Sequence, residues 1–189
     1  MIKAVIFDCF GVLTKDWWLE FCSSLPAGPV LDQAKELNHQ YDAGQLNLKE
    51  FVEKLHEVTG KEARPIEGIF TKPEVVRNVQ VFDYIKELKK KYKIGLISNI
   101  GTTWITDHFM SDEEQALFDS MVMSFEAGTT KPDPRIYKLA AKRLGVEPEE
   151  CIFIDDQPGY VAAALGVGMK AVAYKGFDQM KSEVERLLK

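Results

Sequence analysis

Five short apolar segments constrain the fold of this chain more than any other feature. They are AVIF, IGLIS, SMVMSF, CIFID and KAVAY, at residues 4–7, 94–98, 120–125, 151–155 and 170–174. Runs of this kind are typical of strands that are covered on both faces, and from residue 81 onward they are separated by stretches with helical spacing of apolar residues. Strands that alternate with helices predict an α/β fold, with a doubly wound parallel sheet and right-handed crossovers.

Residues 14–79 lack this alternation and have helical patterns throughout. The clearest predicted helix begins after Asn47 and ends at Gly60, while Asp16 and Pro29 mark the starts of two earlier helices. We call this segment the helical insertion, because it separates the first strand from the rest of the sheet. The predicted domains are an α/β core of residues 1–13 and 80–189 and a small helical domain of residues 14–79.

Composition limits the classes of partner. The chain has 189 residues, of which 46% are hydrophobic and 28% charged, as in an ordinary globular protein. Its net charge of -5 argues against a nucleic-acid or anionic membrane surface, which would require a basic patch. The three cysteines are scattered and the first strand begins at once, without a signal-peptide pattern. We therefore expect a cytoplasmic protein that binds neither nucleic acid nor membranes. A monomer or weak homodimer is our expectation for the oligomeric state, which the sequence does not determine.

Polar side chains follow four of the predicted strands. They are Asp8 after the first, Ser98 and Asn99 at the end of the second, Lys131 beyond the third, and Asp155 and Asp156 at the end of the fourth. Because the carboxyl ends of parallel strands meet at one edge of a sheet, we expect these side chains to converge there. Carboxylates, a lysine and a hydroxyl suit phosphoryl transfer assisted by Mg²⁺, which prefers oxygen ligands and reduces the repulsion between a carboxylate and a phosphate.

These segments, in this order, resemble the motifs of the haloacid dehalogenase-like hydrolase superfamily. FDCFGVL is similar to its first motif, LISN to its second, KPDPRIY to its third and FIDDQPGYVAAALGVGM to its fourth. The helical insertion lies where that family has its C1-type cap, so the resemblance covers nearly the whole chain. It implies a Mg²⁺ cofactor and a small phosphorylated substrate.

The resemblance also implies a role for each residue of these motifs. Asp8 would be the nucleophile that forms an aspartyl-phosphate, and Lys131 would hold Asp8 and the phosphate together. Ser98 and Asn99 would bind the substrate. The metal would be surrounded by Asp156, Asp155, Asp8 and the backbone carbonyl of Phe10. The sheet order of the family would place the first and fourth strands side by side. Asp8 and Asp156 would then be neighbours.

Phe10 departs from the pattern of the family's phosphatases, which usually carry an aspartate two residues after the nucleophile. That aspartate protonates the leaving group and later activates water. A phenylalanine ring transfers no proton, and loss of such a group typically lowers the rate about 10²- to 10⁴-fold. The dehalogenases of the family also lack this aspartate and use no metal.

Three hypotheses on function follow from this departure. The sequence favours a phosphatase with altered acid–base chemistry, because Asp155 and Asp156 are carboxylates at the position where the metal would bind. A 2-haloacid dehalogenase is the second hypothesis, for which only Arg64 and Arg77 in the helical insertion could bind a haloacid carboxylate. The third is a catalytically silent phosphate-binding or interaction protein, because a fold alone does not determine a function.

Two further features of the sequence allow more than one interpretation. Asp16 could replace the missing proton carrier, although a role as a helix N-cap is the more common one for such a residue. Trp17, Trp18 and Trp104 could line a substrate cavity beneath the helical insertion, or they could be ordinary packing residues.

Overall fold

A parallel sheet between two layers of helices forms the core of the protein. The computed structural model describes residues 1–71 and 75–189. The strands are β1 (Ala4–Phe7), β2 (Lys93–Ser98), β3 (Ser120–Met123), β4 (Cys151–Asp155) and β5 (Lys170–Ala173). The helices are α1 (Trp17–Ser23), α2 (Pro29–Asp42), α3 (Leu48–Thr59), α4 (Ala63–Thr71), α5 (Val79–Leu88), α6 (Asp112–Gln115), α7 (Ser124–Ala127), α8 (Pro134–Leu144), α9 (Pro158–Gly166) and α10 (Phe177–Leu187), with a π-helical turn at Ile105–Phe109 and a 3-10 turn at Pro148–Glu150. The predicted α/β fold is confirmed.

The order of the strands is β3-β2-β1-β4-β5, and every neighbouring pair is parallel. Strand β1 therefore lies at the centre, and the chain changes its direction of winding between β1 and β4. Phe7 at the end of β1 is opposite Leu96 of β2 and Ile154 of β4. The next residue, Asp8, donates its N–H to the carbonyl of Ile154 at 2.9 Å. Asp8 thus follows β1 at the switch point, where α/β sheets place their ligands.

Both faces of the sheet are buried, and successive residues of each strand serve opposite faces. Val5 and Phe7 pack into the cluster that includes residues of α5 and α10. Ala4 and Ile6 pack into the cluster on the other face, together with residues of α8 and α9. This two-sided burial explains why the strands are nearly continuous apolar runs in the sequence.

The helical insertion has a hydrophobic cluster of its own, built by α2, α3 and α4 around residues such as Tyr41, Phe51 and Ile66. Its helices begin where the sequence predicted: the Asp16 carboxylate accepts a hydrogen bond from the N–H of Leu19 at 2.8 Å, and Asn47 forms a capping box with Glu50. Helix α4 was not predicted. Residues 72–74 of the predicted insertion lie outside the described residues, and the division into two domains stays a prediction.

Two sets of contacts fix the helical insertion to the core. At its base, the Thr14 hydroxyl donates to the carbonyl of Val76 at 2.6 Å, so the entering and leaving segments lie side by side. At the end of α2, the Ser124 hydroxyl donates to the carbonyl of Asp42 at 2.6 Å. The ring of Tyr41 covers Gly101, where a Cβ atom would lie within 2.6–2.8 Å of ring carbons. The end of α2 is therefore seated on the core.

Three predicted elements are longer in the sequence pattern than in the structure. Strand β3 ends at Met123 rather than Phe125, because Ser124 turns the chain into α7 and binds the Ile100 N–H at 2.9 Å. Helix α5 ends at Leu88 and does not include Tyr92, although Tyr92 still packs against the same cluster. Strand β5 ends one residue before Tyr174. Within the described residues, no helix combines the length and apolar character that crossing a membrane requires.

The cluster of the helical insertion should depend strongly on Phe51. Its ring is fully buried and stacks on Tyr41 at a centroid distance of 4.6 Å, with Phe70 at 5.0 Å. We expect Phe51→Ala to lower the free energy of unfolding by about 3–5 kcal/mol, because it leaves a cavity between these rings. Urea unfolding followed by circular dichroism measures the change. Phe51→Leu is the matched control and should lose less, and equal losses in the two variants would contradict the role of the cavity.

Candidate active site

Lys131 connects the ends of two neighbouring strands. Its ammonium lies 2.8 Å from Oδ1 of Asp8 and 2.6 Å from Oδ2 of Asp155, and only 2% of the residue is exposed. Asn99 holds its backbone, because the Asn99 side chain accepts from the Lys131 N–H at 2.8 Å and donates to the Lys131 carbonyl at 2.9 Å. The second, third and fourth strand ends thus fix the lysine against Asp8. Asn99 positions Lys131 in this arrangement.

The charges of this group depend on one another. Burial raises the pKa of Asp8 well above its usual value, and the charge of Asp155 raises it further, whereas Lys131 and the N–H of Cys9 lower it. Burial would lower the pKa of Lys131, but Asp155 and Asp8 raise it overall. Asp156 also has a raised pKa, because of its burial and the charges of Asp155 and Asp16. A single lysine therefore faces more negative charge than it can neutralise.

The three carboxylates could hold a divalent cation. Asp8, Asp155 and Asp156 each place one oxygen within 4.8 Å of the others. Both oxygens of Asp155 are engaged, by Lys131 and by the N–H of Gln157 at 2.8 Å. Oδ1 of Asp156, by contrast, is buried and has no hydrogen-bond partner among the described residues. Such an oxygen beside Asp8 fits Mg²⁺, which commonly takes one or two carboxylates together with water and substrate oxygens.

Gly11 makes room for the Asp156 carboxylate. Its φ is +85°, and a Cβ atom at this position would lie 2.5 Å from Cγ, 2.6 Å from Oδ1 and 2.7 Å from Oδ2 of Asp156. Glycine is the residue that tolerates both this backbone conformation and this contact. The loop after β1 can therefore lie directly against the carboxylate that offers a free oxygen.

A cavity of about 360 Å³ opens above this edge of the sheet, beneath the helical insertion. Of the residues predicted for the site, Asp8, Phe10, Asn99, Lys131 and Asp156 line its wall. Asp155 and Ser98 are fully buried behind it. The Ser98 hydroxyl has no hydrogen-bond partner within residues 1–71 and 75–189.

Aromatic rings form much of the cavity wall. Trp17, Trp18 and Trp104 all line it, and they also pack against the hydrophobic clusters of the core and of the helical insertion, so both interpretations of these residues hold. The ring of Phe10 stacks on Trp104 at a centroid distance of 5.9 Å and an interplanar angle of 24°. Asp16 lies on the same wall while it caps α1, and burial raises its pKa. The residue that departs from the phosphatase pattern is thus part of an aromatic wall.

The two arginines suggested for a haloacid carboxylate are not found at the cavity. Neither Arg64 nor Arg77 is among the described residues that line it. The Arg77 guanidinium instead lies 2.6 Å from both carboxylate oxygens of Glu114 and covers the ring of Phe109 at 5.2 Å. The arginine clamp that the dehalogenase hypothesis would require is therefore not found among the described residues, and Arg77 instead binds the core at the base of the helical insertion.

Sequence reasoning missed the polar face of α2. Lys35, Asn38 and Asp42 line the cavity and follow one another at i, i+3 and i+7, so they share a face of the helix. This spacing is visible in the sequence, but a search for apolar periodicity passes over it. Tyr160, whose ring centroid lies 4.8 Å from the Lys131 ammonium, was also missed.

Asp42 is the most buried polar residue of this face, with 8% of its surface exposed. Its Oδ2 accepts a hydrogen bond from the Asn38 side chain at 2.8 Å. Burial raises the pKa of Asp42 to about 8; the charge of Asp16 also raises it, whereas the bond from Asn38 and the charge of Lys131 lower it. At neutral pH the acid form of Asp42 therefore predominates.

Comparison with known proteins places these features in a family. The sequence model described as haloacid dehalogenase-like hydrolase matches residues 2–168. The chain is 28% identical to D-ribitol-5-phosphate phosphatase of Bacteroides thetaiotaomicron, over 100% of this chain and 99% of that protein.

Solved structures share the fold. One is a wild-type haloacid dehalogenase family enzyme of Bacteroides thetaiotaomicron in complex with magnesium and inorganic phosphate, with a TM-score of 0.67 and 23% identity over 93% of this chain and 95% of that one. Another is a 2-haloacid dehalogenase of Pseudomonas syringae pv. Tomato, with a TM-score of 0.62 and 18% identity over 100% of this chain and 98% of that one. At these identities the likeness shows the fold, which hosts both kinds of enzyme.

The contact of Gly11 with Asp156 should be essential for cation binding. We expect Gly11→Ala to weaken the apparent affinity for Mg²⁺ about 10- to 100-fold, because the added methyl group displaces the carboxylate. Titration calorimetry with Mg²⁺ measures this affinity. Gly60→Ala is the control: Gly60 also has a positive φ, +65°, but no atom lies within 4 Å of the added Cβ. Equal Mg²⁺ affinity in the two variants would contradict the role given to Gly11.

Proposed function

The chain belongs to the haloacid dehalogenase-like hydrolase family, and we propose that it is a Mg²⁺-dependent phosphatase that acts on a small phosphorylated metabolite through an aspartyl-phosphate on Asp8. One observation carries this proposal. The buried Lys131 ammonium bridges Asp8 and Asp155, beside an Asp156 oxygen that lacks a partner in the described chain. A carboxylate nucleophile and a divalent cation need this arrangement if an anionic phosphate is to approach.

In the first step, Asp8 attacks phosphorus. Oδ1 of Asp8 is held by the Lys131 ammonium at 2.8 Å and by the Cys9 N–H at 2.7 Å, so the carboxylate has a fixed orientation. Lys131 offsets negative charge as the phosphoryl group transfers. The Ser98 hydroxyl lies buried behind the cavity and has no partner among the described residues, so it would be available to donate to a phosphoryl oxygen that reaches it. The bond from phosphorus to the leaving oxygen breaks as the bond to Asp8 forms.

In the second step, water hydrolyses the aspartyl-phosphate and restores the Asp8 carboxylate. Asp156 and Asp8, with the backbone carbonyl of Phe10, would hold the metal, and Asp155 positions Lys131. When bound, Mg²⁺ supplies positive charge that lets the phosphate approach Asp8. The aromatic wall and the helical insertion cover part of the cavity with apolar side chains, and a less polar surrounding strengthens these electrostatic interactions.

The volume and the lining of the cavity support the proposal that the substrate is small and polyhydroxylated. The cavity volume of about 360 Å³ is near the lower end of the range for ligand sites. The polar face of α2, with Lys35, Asn38 and Asp42, offers donors and an acceptor for hydroxyl groups, and Trp17 and Trp18 can pack against a carbon skeleton. The similarity to D-ribitol-5-phosphate phosphatase supports a polyol or sugar phosphate. The cytoplasmic location and the monomer or weak homodimer stay predictions.

Dehalogenation is the second candidate, and Phe10 is the observation that favours it. A halide leaves carbon without a proton, so an aromatic residue at this position would suffice. The engaged Arg77 and the free oxygen of Asp156 argue against it. A silent phosphate-binding protein would keep the phosphate site but release no product.

A substrate panel tests the proposal. D-Ribitol 5-phosphate, other sugar and polyol phosphates of four to six carbons, p-nitrophenyl phosphate and 2-chloropropionate are assayed with Mg²⁺ and with EDTA. We expect phosphate release that requires Mg²⁺ and falls roughly 10⁴- to 10⁶-fold in Asp8→Asn, because the nucleophile is lost. Colorimetric phosphate detection and halide detection measure the products.

The matched control is Asp83→Asn, a substitution of the same kind at an exposed residue of α5, which should keep wild-type activity. Halide release without metal would transfer the assignment to a dehalogenase. Binding of phosphate without turnover of any compound would favour the silent protein.

A further inference from the structure

The proposed reaction lacks a proton donor for the leaving group. The residue two positions after Asp8 is Phe10, whose ring packs against Trp104 and carries no proton to give. An alcohol leaves as an alkoxide unless it is protonated, so an alkyl phosphate needs an acid within reach of the leaving oxygen. That acid must lie on the wall of the cavity that holds the leaving group.

Among the described residues, four carboxyl groups line the cavity: Asp8, Asp16, Asp42 and Asp156. Asp8 is the nucleophile. Asp156 belongs to the proposed cation site, where its Oδ1 has no hydrogen-bond partner among the described residues. Asp16 uses Oδ1 to cap α1, and its charge interacts with that of Asp156. Of these four carboxyl groups Asp42 remains, and it is contributed by α2 of the helical insertion.

We propose that Asp42, from the helical insertion, is the acid that protonates the leaving oxygen of the substrate. The inference rests on the proposed phosphatase function and assigns it a catalytic residue outside the four sequence motifs. It also explains why the chain can carry phenylalanine at position 10.

The position of Asp42 is fixed by the core. The Ser124 hydroxyl, which also accepts the Ile100 N–H, donates to the Asp42 carbonyl at 2.6 Å. The neighbouring ring of Tyr41 is seated on Gly101, where a side chain could not fit. The Asp42 carboxyl is oriented by Asn38 through one hydrogen bond of 2.8 Å. A general acid requires such a fixed geometry, because proton transfer occurs over hydrogen-bond distances.

The surroundings of Asp42 favour its acid form. Burial and the charge of Asp16 oppose ionisation, while the bond from Asn38 and the more distant Lys131 only partly offset them. Lys35 and His39, from the same helix, also line the cavity. With a pKa of about 8, Asp42 holds a proton at neutral pH and can release it to an alkoxide, which is a far stronger base.

The proton balance closes over the two steps. In the first, an Asp8 oxygen bonds to phosphorus, the electron pair of the broken P–O bond stays on the leaving oxygen, and that oxygen takes the proton of Asp42. In the second, water bonds to phosphorus, the P–O bond to Asp8 breaks, and a proton of the water returns to Asp42. Ester and water become alcohol and phosphate, and no other reactant is needed.

Leaving groups of different basicity test this role. The first step is measured in single turnovers with Mg²⁺ for two substrates. One is p-nitrophenyl phosphate, which releases p-nitrophenolate. The other is D-ribitol 5-phosphate, or whichever alkyl phosphate of the panel is hydrolysed fastest, which releases an alcohol. In Asp42→Asn we expect the alkyl phosphate to react about 10²- to 10⁴-fold more slowly, and p-nitrophenyl phosphate less than about 10-fold more slowly, because p-nitrophenolate leaves without a proton. Asparagine has the shape of the protonated carboxyl and can keep the contact with Asn38.

Asp16→Asn is the comparison variant, and it should slow both substrates by a similar factor. Equal losses for the two substrates in Asp42→Asn would show a binding or structural role and overturn the inference, as would a selective loss on the alkyl phosphate in Asp16→Asn. Thermal unfolding by circular dichroism verifies that each variant is folded. If the wild-type protein releases phosphate from neither substrate, the proposed function fails and the inference fails with it. If the wild-type protein turns over a substrate and Asp8→Asn abolishes that turnover, the proposed function stands, and the result for Asp42→Asn then decides only the inference about Asp42.

Discussion

The ion triad of Lys131, Asp8 and Asp155 is the interaction on which the rest of the site depends. Three charged groups are removed from water here, and such burial is tolerated only when each charge is paired and hydrogen-bonded. Removing one partner of a buried pair typically destabilises a protein by about 3–5 kcal/mol, because the remaining charge stays buried. The strand order brings the triad together, since β1 and β4 are neighbours and the Lys131 loop returns over the end of β2. The order of the strands in the sheet therefore also determines the positions of the three charged side chains.

The triad also explains why a divalent cation fits this site. One ammonium faces the carboxylates of Asp8 and Asp155, and Asp156 adds a third within the same cluster. Burial raises the pKa values of Asp8 and Asp156, and the charge of Asp155 raises both further. A divalent cation beside these carboxylates would supply positive charge that favours their ionised forms. Gly11 contributes to the cation site because its lack of a side chain allows the first loop to lie against the Asp156 carboxylate.

The sequence predicted the sheet and its polar edge because both depend on local patterns. A buried strand needs a run of apolar residues, and a residue at its carboxyl end must lie at the edge of the sheet, so Asp8 and Asp156 could be brought together without coordinates. Lys131 lies beyond α7, and its place beside Asp8 was implied by the resemblance of its motif to that of the family. The contacts of α2 depend instead on partners distant in the chain: Ser124 binds the Asp42 carbonyl across 82 residues. No local pattern reports such a contact. The end of β3 at Met123 was misjudged for the same reason, since Ser124 leaves the strand to make it.

The aromatic wall and Asp42 together suggest a division of labour between the core and the helical insertion. Phe10 gives the first loop an apolar surface that stacks on Trp104, whereas an aspartate there would place a charge against these rings. With the acid on α2, proton transfer depends on the seating of that helix by Ser124 and Gly101. Protonation of an alkyl leaving group would then depend on contacts that hold α2 against the core. The residues that seat this helix would therefore matter for catalysis as well as for packing.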